Sequence, residues 1–266
     1  MKLIVCVKQV PDTSGKVAVK EDGTMDRASM ETITNPDDLN AVEAALQIKD
    51  ETGAEVYVVS MGPPPAISML NELKAMGVNH AILVSGREFG GSDTFATSQI
   101  LAAAINRIGV EKEDIIFCGR QAIDGDTAQV GPQIAEKLHI PQVSYAADIK
   151  KDGNKLIVKR MLEDGYMTVE VETPCLLTCI KELNTPRYMT IQGIMECDKE
   201  PVEIFDYNML KDDPLIELDT IGLKGSPTNV YRSFNPPVKG AGMMLEGSSK
   251  EAVDKLFGIL NEKHLI

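Results

Sequence analysis

A chain of 266 residues, 43% of them hydrophobic and 25% charged, is long enough for one large domain or a domain with an extension, and apolar enough to bury a core. Its formal net charge of -13 argues against nucleic acid as a partner, since displacing counterions from phosphates needs a basic footprint, whereas an acidic surface suits a basic protein. Five scattered cysteines without a C-x-x-C pair, and three histidines outside any nucleophile–acid arrangement, supply neither a zinc set nor a hydrolytic triad; the cysteines read as small buried residues in a reducing compartment.

The first element in chain order is the apolar run Leu3-Ile4-Val5-Cys6-Val7, a strand of the kind buried on both faces and too short for a secretory signal. No stretch approaches membrane-spanning length, so the chain reads as soluble and cytoplasmic. Alternation over residues 17–26, around the turn Glu21-Asp22-Gly23-Thr24, predicts a small hairpin. Asn35-Pro36-Asp37-Asp38 then opens a helix, with a cap, a proline in the first turn and acids at the positive end of the dipole. Leu39, Val42, Ala45, Leu46 and Ile48 give it an apolar face and Gly53 stops it.

The pattern then repeats. Strands are expected over 55–60, 81–84 and 115–118, and helices from Pro63 to about Met76, from Asp93 to Ile108, and from Asp126 to His139. Such alternation predicts an α/β fold, a doubly wound and mainly parallel sheet with helices on both faces. After Pro141, strands over 143–149, 155–162, 167–171 and 175–180, separated by Lys151-Asp152-Gly153-Asn154 and Glu163-Asp164-Gly165, read as antiparallel additions. From about Pro201 the periodicity fades and prolines accumulate, up to a short helix over 249–260. Ile204, Phe205, Leu210, Leu215, Ile216, Leu218, Ile221, Leu223 and Phe234 are too apolar for a disordered tail. Residues 1–200 therefore read as the α/β nucleotide-binding domain, and 201–266 as a C-terminal arm packing on a partner subunit.

Ligands of such sheets bind beyond the carboxyl ends of the strands. Those ends carry Cys6-Val7-Lys8, Ser60-Met61-Gly62, Gly90-Gly91-Ser92-Asp93-Thr94 and the segment 119–131. In the last, Gly119 follows a buried strand, Gly125 permits close backbone approach, Asp126 and Thr127 start the expected helix, and Thr127 and Gln129 add neutral donors. The residues alone leave two readings open, a phosphate cradle or an ordinary strand–turn–helix connection; neither a G-x-G-x-x-G nor a P-loop motif is present. A second segment runs from Asn184-Thr185-Pro186-Arg187-Tyr188 to Ile191, Ile194 and Met195. It reads either as a short core helix or as an apolar loop that docks a partner.

With Val5-Cys6-Val7-Lys8, Asn35-Pro36, Met61-Gly62-Pro63, Gly119-Arg120-Gln121-Ala122-Ile123-Asp124-Gly125-Asp126 and Asn184-Thr185-Pro186-Arg187-Tyr188 in place, the whole chain resembles the beta subunit of electron transfer flavoprotein. The resemblance implies a heterodimer with an alpha subunit that carries the electron-transferring FAD. It places Cys6, Asn35, Asp38, Ser60, Met61, Thr94, Gly119, Arg120, Gln121, Ala122, Ile123, Asp124, Gly125, Asp126, Thr127, Ala128, Gln129 and Val130 around a nucleotide. It assigns Arg187, Ile191 and Met195 to partner binding, with Ile191 entering an apolar pocket of an acyl-CoA dehydrogenase.

Many members of the family hold AMP in this cradle; an electron-bifurcating subgroup holds a second FAD. The small residues of 124–132 and the segment 91–97 resemble that subgroup, because smaller side chains leave room for a flavin. The resemblance then implies NADH as transient donor and ferredoxin or flavodoxin as a second acceptor. It implies no catalytic side chain and no metal, and NADH oxidation only by the heterodimer. Lys8 and Arg87 are the cations within reach of such a ring. Met161 and Met167 stand where family members carry Glu or Gln, which bears on the choice of dehydrogenase. The alternatives are the AMP-holding single-FAD shuttle, an adenine-nucleotide-binding regulatory module, and an ATP-pyrophosphatase-like enzyme. The last lacks its phosphate loop, since Lys8-Gln9-Val10-Pro11 follows the first strand.

Overall fold

A computed structural model describes residues 1–12, 31–231, 240 and 242–266. The hairpin expected over 17–26 and Phe234 of the arm lie outside them. Strand β1 (Lys2–Cys6) is buried from its second residue onward, and β2 (Gln9–Pro11) pairs antiparallel with β3 (Thr32–Thr34) as a separate ribbon. Helix α1 (Pro36–Thr52) has proline and two aspartates in its first turn and ends at Gly53 in the left-handed region, whose N–H donates to Lys49 O. Then follow β4 (Glu55–Met61), α2 (Ile67–Met76), β5 (His80–Val84), α3 (Thr94–Ile108) capped by Asp93, β6 (Ile115–Gly119) and α4 (Val130–Lys137).

The last part of the chain forms β7 (Gln142–Asp152), β8 (Lys155–Met161), β9 (Tyr166–Glu172), β10 (Cys175–Cys179), α5 (Ile191–Glu196), β11 (Glu203–Phe205), α6 (Tyr207–Leu210), α7 (Gly222–Gly225) and α8 (Ser249–Glu262). Nine strands make one sheet in the order β11-β5-β4-β1-β6-β10-β7-β8-β9. The helices α1 and α2 cover one face and α3 and α4 the other, each over its own apolar cluster. The fold is thus the doubly wound α/β architecture expected.

Within the nine-stranded sheet of the described residues, antiparallel pairing is confined to β7–β8–β9. The strand β10, expected among the antiparallel additions, instead inserts parallel between β6 and β7. Its sequence Cys175-Leu176-Leu177-Thr178-Cys179 is buried throughout, as suits a central parallel strand. Only Thr173 and Pro174 join β9 to β10. So short a link requires β7 to turn, and it does so at a register shift where Tyr145 takes φ 59° and its N–H donates to Thr178 Oγ1 at 3.0 Å.

The start of the arm lies on the domain itself. The strand β11 adds parallel to β5 at the sheet edge, and Phe205, Leu210, Ile216 and Ile221 bury into the cluster under α3. By contrast α8 buries none of its residues. No helix of the described residues is long and apolar enough to cross a membrane.

Candidate functional site

The chain adds β4 and then β5 on one side of β1, and crosses to the other side for β6. The direction of winding therefore reverses between β1 and β6, and a crevice opens at their carboxyl ends. Cys6 pairs in register with both Val59 and Cys118, so Lys8, Ser60 and Gly119 emerge side by side along that edge.

The first turn of α1 ties these ends together. Asp38 is buried; its Oδ2 accepts the Lys8 N–H at 2.8 Å and its Oδ1 the Gly119 N–H at 2.9 Å. A Cβ on residue 119 would stand 2.3 Å from Asp38 Oδ1, so only glycine lets the carboxylate in. Burial pushes the Asp38 carboxyl up to about 7, against the pull of the two amides. Asn35, fully buried, clamps the following loop: its Nδ2 donates to Gln121 O at 2.8 Å and its Oδ1 accepts the Ile123 N–H at 3.1 Å. Lys8 Nζ reaches both oxygens of Asp124 at 2.8 Å. Arg120 lies beside Asp37, Nε 3.2 Å from Oδ2, without the alignment of a hydrogen bond.

The helix expected from Asp126 begins only at Val130. The amides of Gly125 and Asp126 turn back onto Ala122 O, and Asp126 (φ 49°) and Ala128 (φ 53°) sit in the left-handed region, which a helix start excludes. Gln121 Nε2 braces Asp126 Oδ1 at 2.8 Å, and Thr94 Oγ1 donates to Gln129 Oε1 at 3.2 Å. The amides of Thr127, Ala128, Gln129 and Val130 have no hydrogen-bond partner among the described residues. Ser60 Oγ is likewise buried and unpartnered. Free amides in a turn, and an orphaned hydroxyl at the same end of the sheet, are groups that an anionic, hydroxyl-bearing ligand satisfies, so the residues fit a nucleotide with its phosphate.

All the sequence-derived pocket residues thus fall at one end of the sheet, with different parts. Asn35 and Asp38 hold backbone, Gly119 to Val130 form the loop, and Ser60, Met61 and Thr94 flank it. Cys6 is buried in the floor, its free thiol hydrogen-bonded with that of Cys118, which this hydrogen bond and burial hold well above the ordinary range. Lys8 and Asp124 form an ion pair that no local motif announces, because its members lie 116 residues apart. Arg87 is exposed.

The 184–196 segment is a second surface. Asn184 and Asn40 exchange side-chain hydrogen bonds, and Arg187 grips buried Glu43 with Nε at 2.9 Å, Nη2 at 3.1 Å and its own N–H at 3.0 Å. Arg187 Nη2 also meets Asp50 at 2.8 Å. Arg187 therefore fastens the loop to α1, a use its assignment to partner binding did not include. Gly193 abuts Ala75 O, where a Cβ would stand at 2.2 Å, and Lys74 Nζ binds Cys197 O and Glu200 O. On this pinned frame Tyr188, Ile191 and Met195 are 95%, 81% and 75% exposed. Three large side chains held out on a pinned loop form an exposed apolar patch, not a core helix.

Residues 22–209 match the family model described as the electron transfer flavoprotein domain. The chain is 66% identical, over the full length of both, to the acryloyl-CoA reductase electron transfer subunit gamma of Anaerotignum propionicum. It is 52% identical, again over both full lengths, to the CarD subunit of the caffeyl-CoA reductase–Etf complex of Acetobacterium woodii. With the electron transfer flavoprotein subunit beta of Clostridium acetobutylicum the identity is 48%, with both chains fully covered.

Two measurements probe this geometry. A carboxyl whose folded pKa is raised binds more protons folded than unfolded between 3.8 and about 7, so its burial costs stability as pH rises through that window. Urea unfolding across the window should show this decline in the wild type and a flatter profile in Asp38→Asn. Arg187→Ala leaves buried Glu43 without its partner; allowing for the partial exposure of Arg187, about 2 kcal/mol of unfolding free energy should be lost. Arg187→Lys should not restore it, because an ammonium lacks the two-pronged geometry.

Proposed function

The chain belongs to the electron transfer flavoprotein family as a beta-type subunit, and from that premise we propose that it binds FAD in the crevice between β1 and β6 and works in a cytoplasmic heterodimer with an alpha subunit. The heterodimer takes electrons from NADH and divides them between an acyl-CoA dehydrogenase and ferredoxin or flavodoxin. The observation that carries the nucleotide reading is the row of amides from Thr127 to Val130 that find no hydrogen-bond partner among the described residues, with the buried Ser60 hydroxyl, also unpartnered among them, at the same end of the sheet. The small residues of this loop, Gly125, Thr127 and Ala128, favour FAD over AMP, because smaller side chains leave more room for a flavin. FAD bound here would supply the two-electron exchange with NADH and one-electron delivery to the acceptors. The chain's own residues then position and exclude water: Asn35, Asp38 and Asp124 hold the loop, and the loop amides bind phosphate.

Two apolar surfaces serve the partners. The distal helix α8 presents Val253, Leu256 and Phe257 on one stripe with none of it buried, a face for the alpha subunit. The patch of Ile191 and Met195 serves the acyl-CoA dehydrogenase. The names of two relatives, subunits of acryloyl-CoA and caffeyl-CoA reductase complexes, support a partner that acts on CoA thioesters.

Cofactor extraction from the purified heterodimer tests the reading directly. Two FAD per heterodimer are expected; one FAD with one AMP would assign the chain to the single-flavin shuttle, and no nucleotide on this subunit would sink both. Ile191→Ala should weaken electron delivery to the dehydrogenase by roughly tenfold or more, the scale of a buried anchor, while NADH still reduces the heterodimer at the wild-type rate. Loss of both activities would count against docking.

A further inference from the structure

The first half of the C-terminal arm runs back over the corner where α3 begins. Asp93 caps α3 with Oδ1, which accepts the Ala96 N–H at 3.1 Å. Its other oxygen, Oδ2, accepts from the arm: from the Thr228 N–H at 2.9 Å and from Thr228 Oγ1 at 2.7 Å. The Asp93 N–H donates to Ser226 Oγ at 2.8 Å, and that hydroxyl donates on to Gly222 O at 2.7 Å. The Gly222 N–H donates to Ser92 Oγ at 3.1 Å, and the Leu223 N–H to Gly90 O at 2.9 Å. A Cβ on Gly222 would stand 2.2 Å from Glu88 O, so strap and corner are in backbone contact.

A second tie lies behind the first. Gln99 of α3, almost fully buried, donates to Leu215 O at 2.9 Å and Thr220 Oγ1 at 2.8 Å, and accepts from Lys137 Nζ of α4 at 3.0 Å. The strap is thereby bonded to α3, and Gln99 links it on to α4, the helix that follows the loop. The next residue after Asp93 is Thr94, whose hydroxyl reaches Gln129. Because the amides of 127–130 have no backbone partners of their own among the described residues, external ties such as this one set where they point.

We propose that residues 215–228 are a strap that positions the nucleotide loop, and that Asp93 and Thr228 are its clasp, linking the partner-facing arm to retention of the nucleotide. Both are assigned as positioning residues, acting through the start of α3. The proposal rests on the nucleotide reading above. It goes beyond that reading by making the hold on the cofactor depend on the arm that leads toward the other subunit. Few bonds are involved and each has a small net worth, so the expected consequence is a change in rate, not loss of the fold.

The test uses the heterodimer produced with its partner subunit, wild type and Thr228→Val. The variant removes the hydroxyl and keeps the amide bond to Asp93. FAD and AMP remaining per heterodimer are extracted and counted after timed dialysis. Thr228→Val should lose the nucleotide of this subunit roughly 3- to 10-fold faster, while the alpha-subunit FAD stays. Thr228→Ser, which keeps the hydroxyl, should match the wild type. Hydrogen exchange should rise over 93–97 and 220–228 in Thr228→Val and remain unchanged in β1 and α1. Wild-type release by Thr228→Val, or a faster release accompanied by exchange raised across the whole sheet, overturns the clasp. If Thr228→Val does not assemble, Asp93→Asn is the second variant: it keeps a capping oxygen and turns an amide group toward Thr228, and wild-type retention by it overturns the proposal equally. A wild-type heterodimer with no nucleotide on this subunit is a different result, since it removes the reading on which the clasp depends.

Discussion

The polar side chains on the buried side of α1 hold both functional surfaces. Asn35, Asp38, Asn40 and Glu43 all lie out of solvent on one helix, where an unsatisfied polar group is costly. Each is satisfied by a different part of the chain: the loop after β6, the ends of β1 and β6, Asn184, and Arg187. The same desolvation that makes these groups expensive makes their bonds specific, since no water can substitute for the missing partner. Cofactor loop and docking loop are thus referenced to one rigid element.

That arrangement suits a subunit of the electron transfer flavoprotein family. Electron transfer asks the polypeptide for fixed distances, a dry environment and a defined partner face, and the cofactor supplies the reactive atoms. The phosphate loop is built accordingly. It is irregular, with two left-handed non-glycine residues, and its shape is imposed from outside by Asn35, by the Lys8–Asp124 pair and by Thr94. Strained backbone whose amides point outward is poor as a helix start and good as a receptor for oxygen acceptors.

Much of this was legible before any coordinates. Apolar runs at strand length, the Asn35-Pro36 helix opening and the stop at Gly53 are local signals, and those elements lie where they place them. Three features were not legible, for three reasons. The start of α4 slipped from Asp126 to Val130 because Asp-Thr is a good helix opening locally, and the bonds that hold the loop open include those from Asn35 and Lys8, more than eighty positions away. The parallel insertion of β10 escaped because turn signals around β8 and β9 say nothing about which strand the chain pairs with next. The engagement of Arg187 escaped because its partner Glu43 lies on a helix read only for its apolar face.

By itself the sequence determined the alternation of strand and helix and, through its resemblance to a known family, the class of protein to which the chain belongs. These follow from periodicity and short motifs, in which the interacting residues are near neighbours. Only the tertiary structure decided which carboxylate reaches which amide, that the arm divides into a strap on its own domain and an unburied helix, and that Asp93 serves a helix cap and the arm at once. Those are contacts between residues up to 144 apart, selected by burial and hydrogen-bond geometry rather than by local preference.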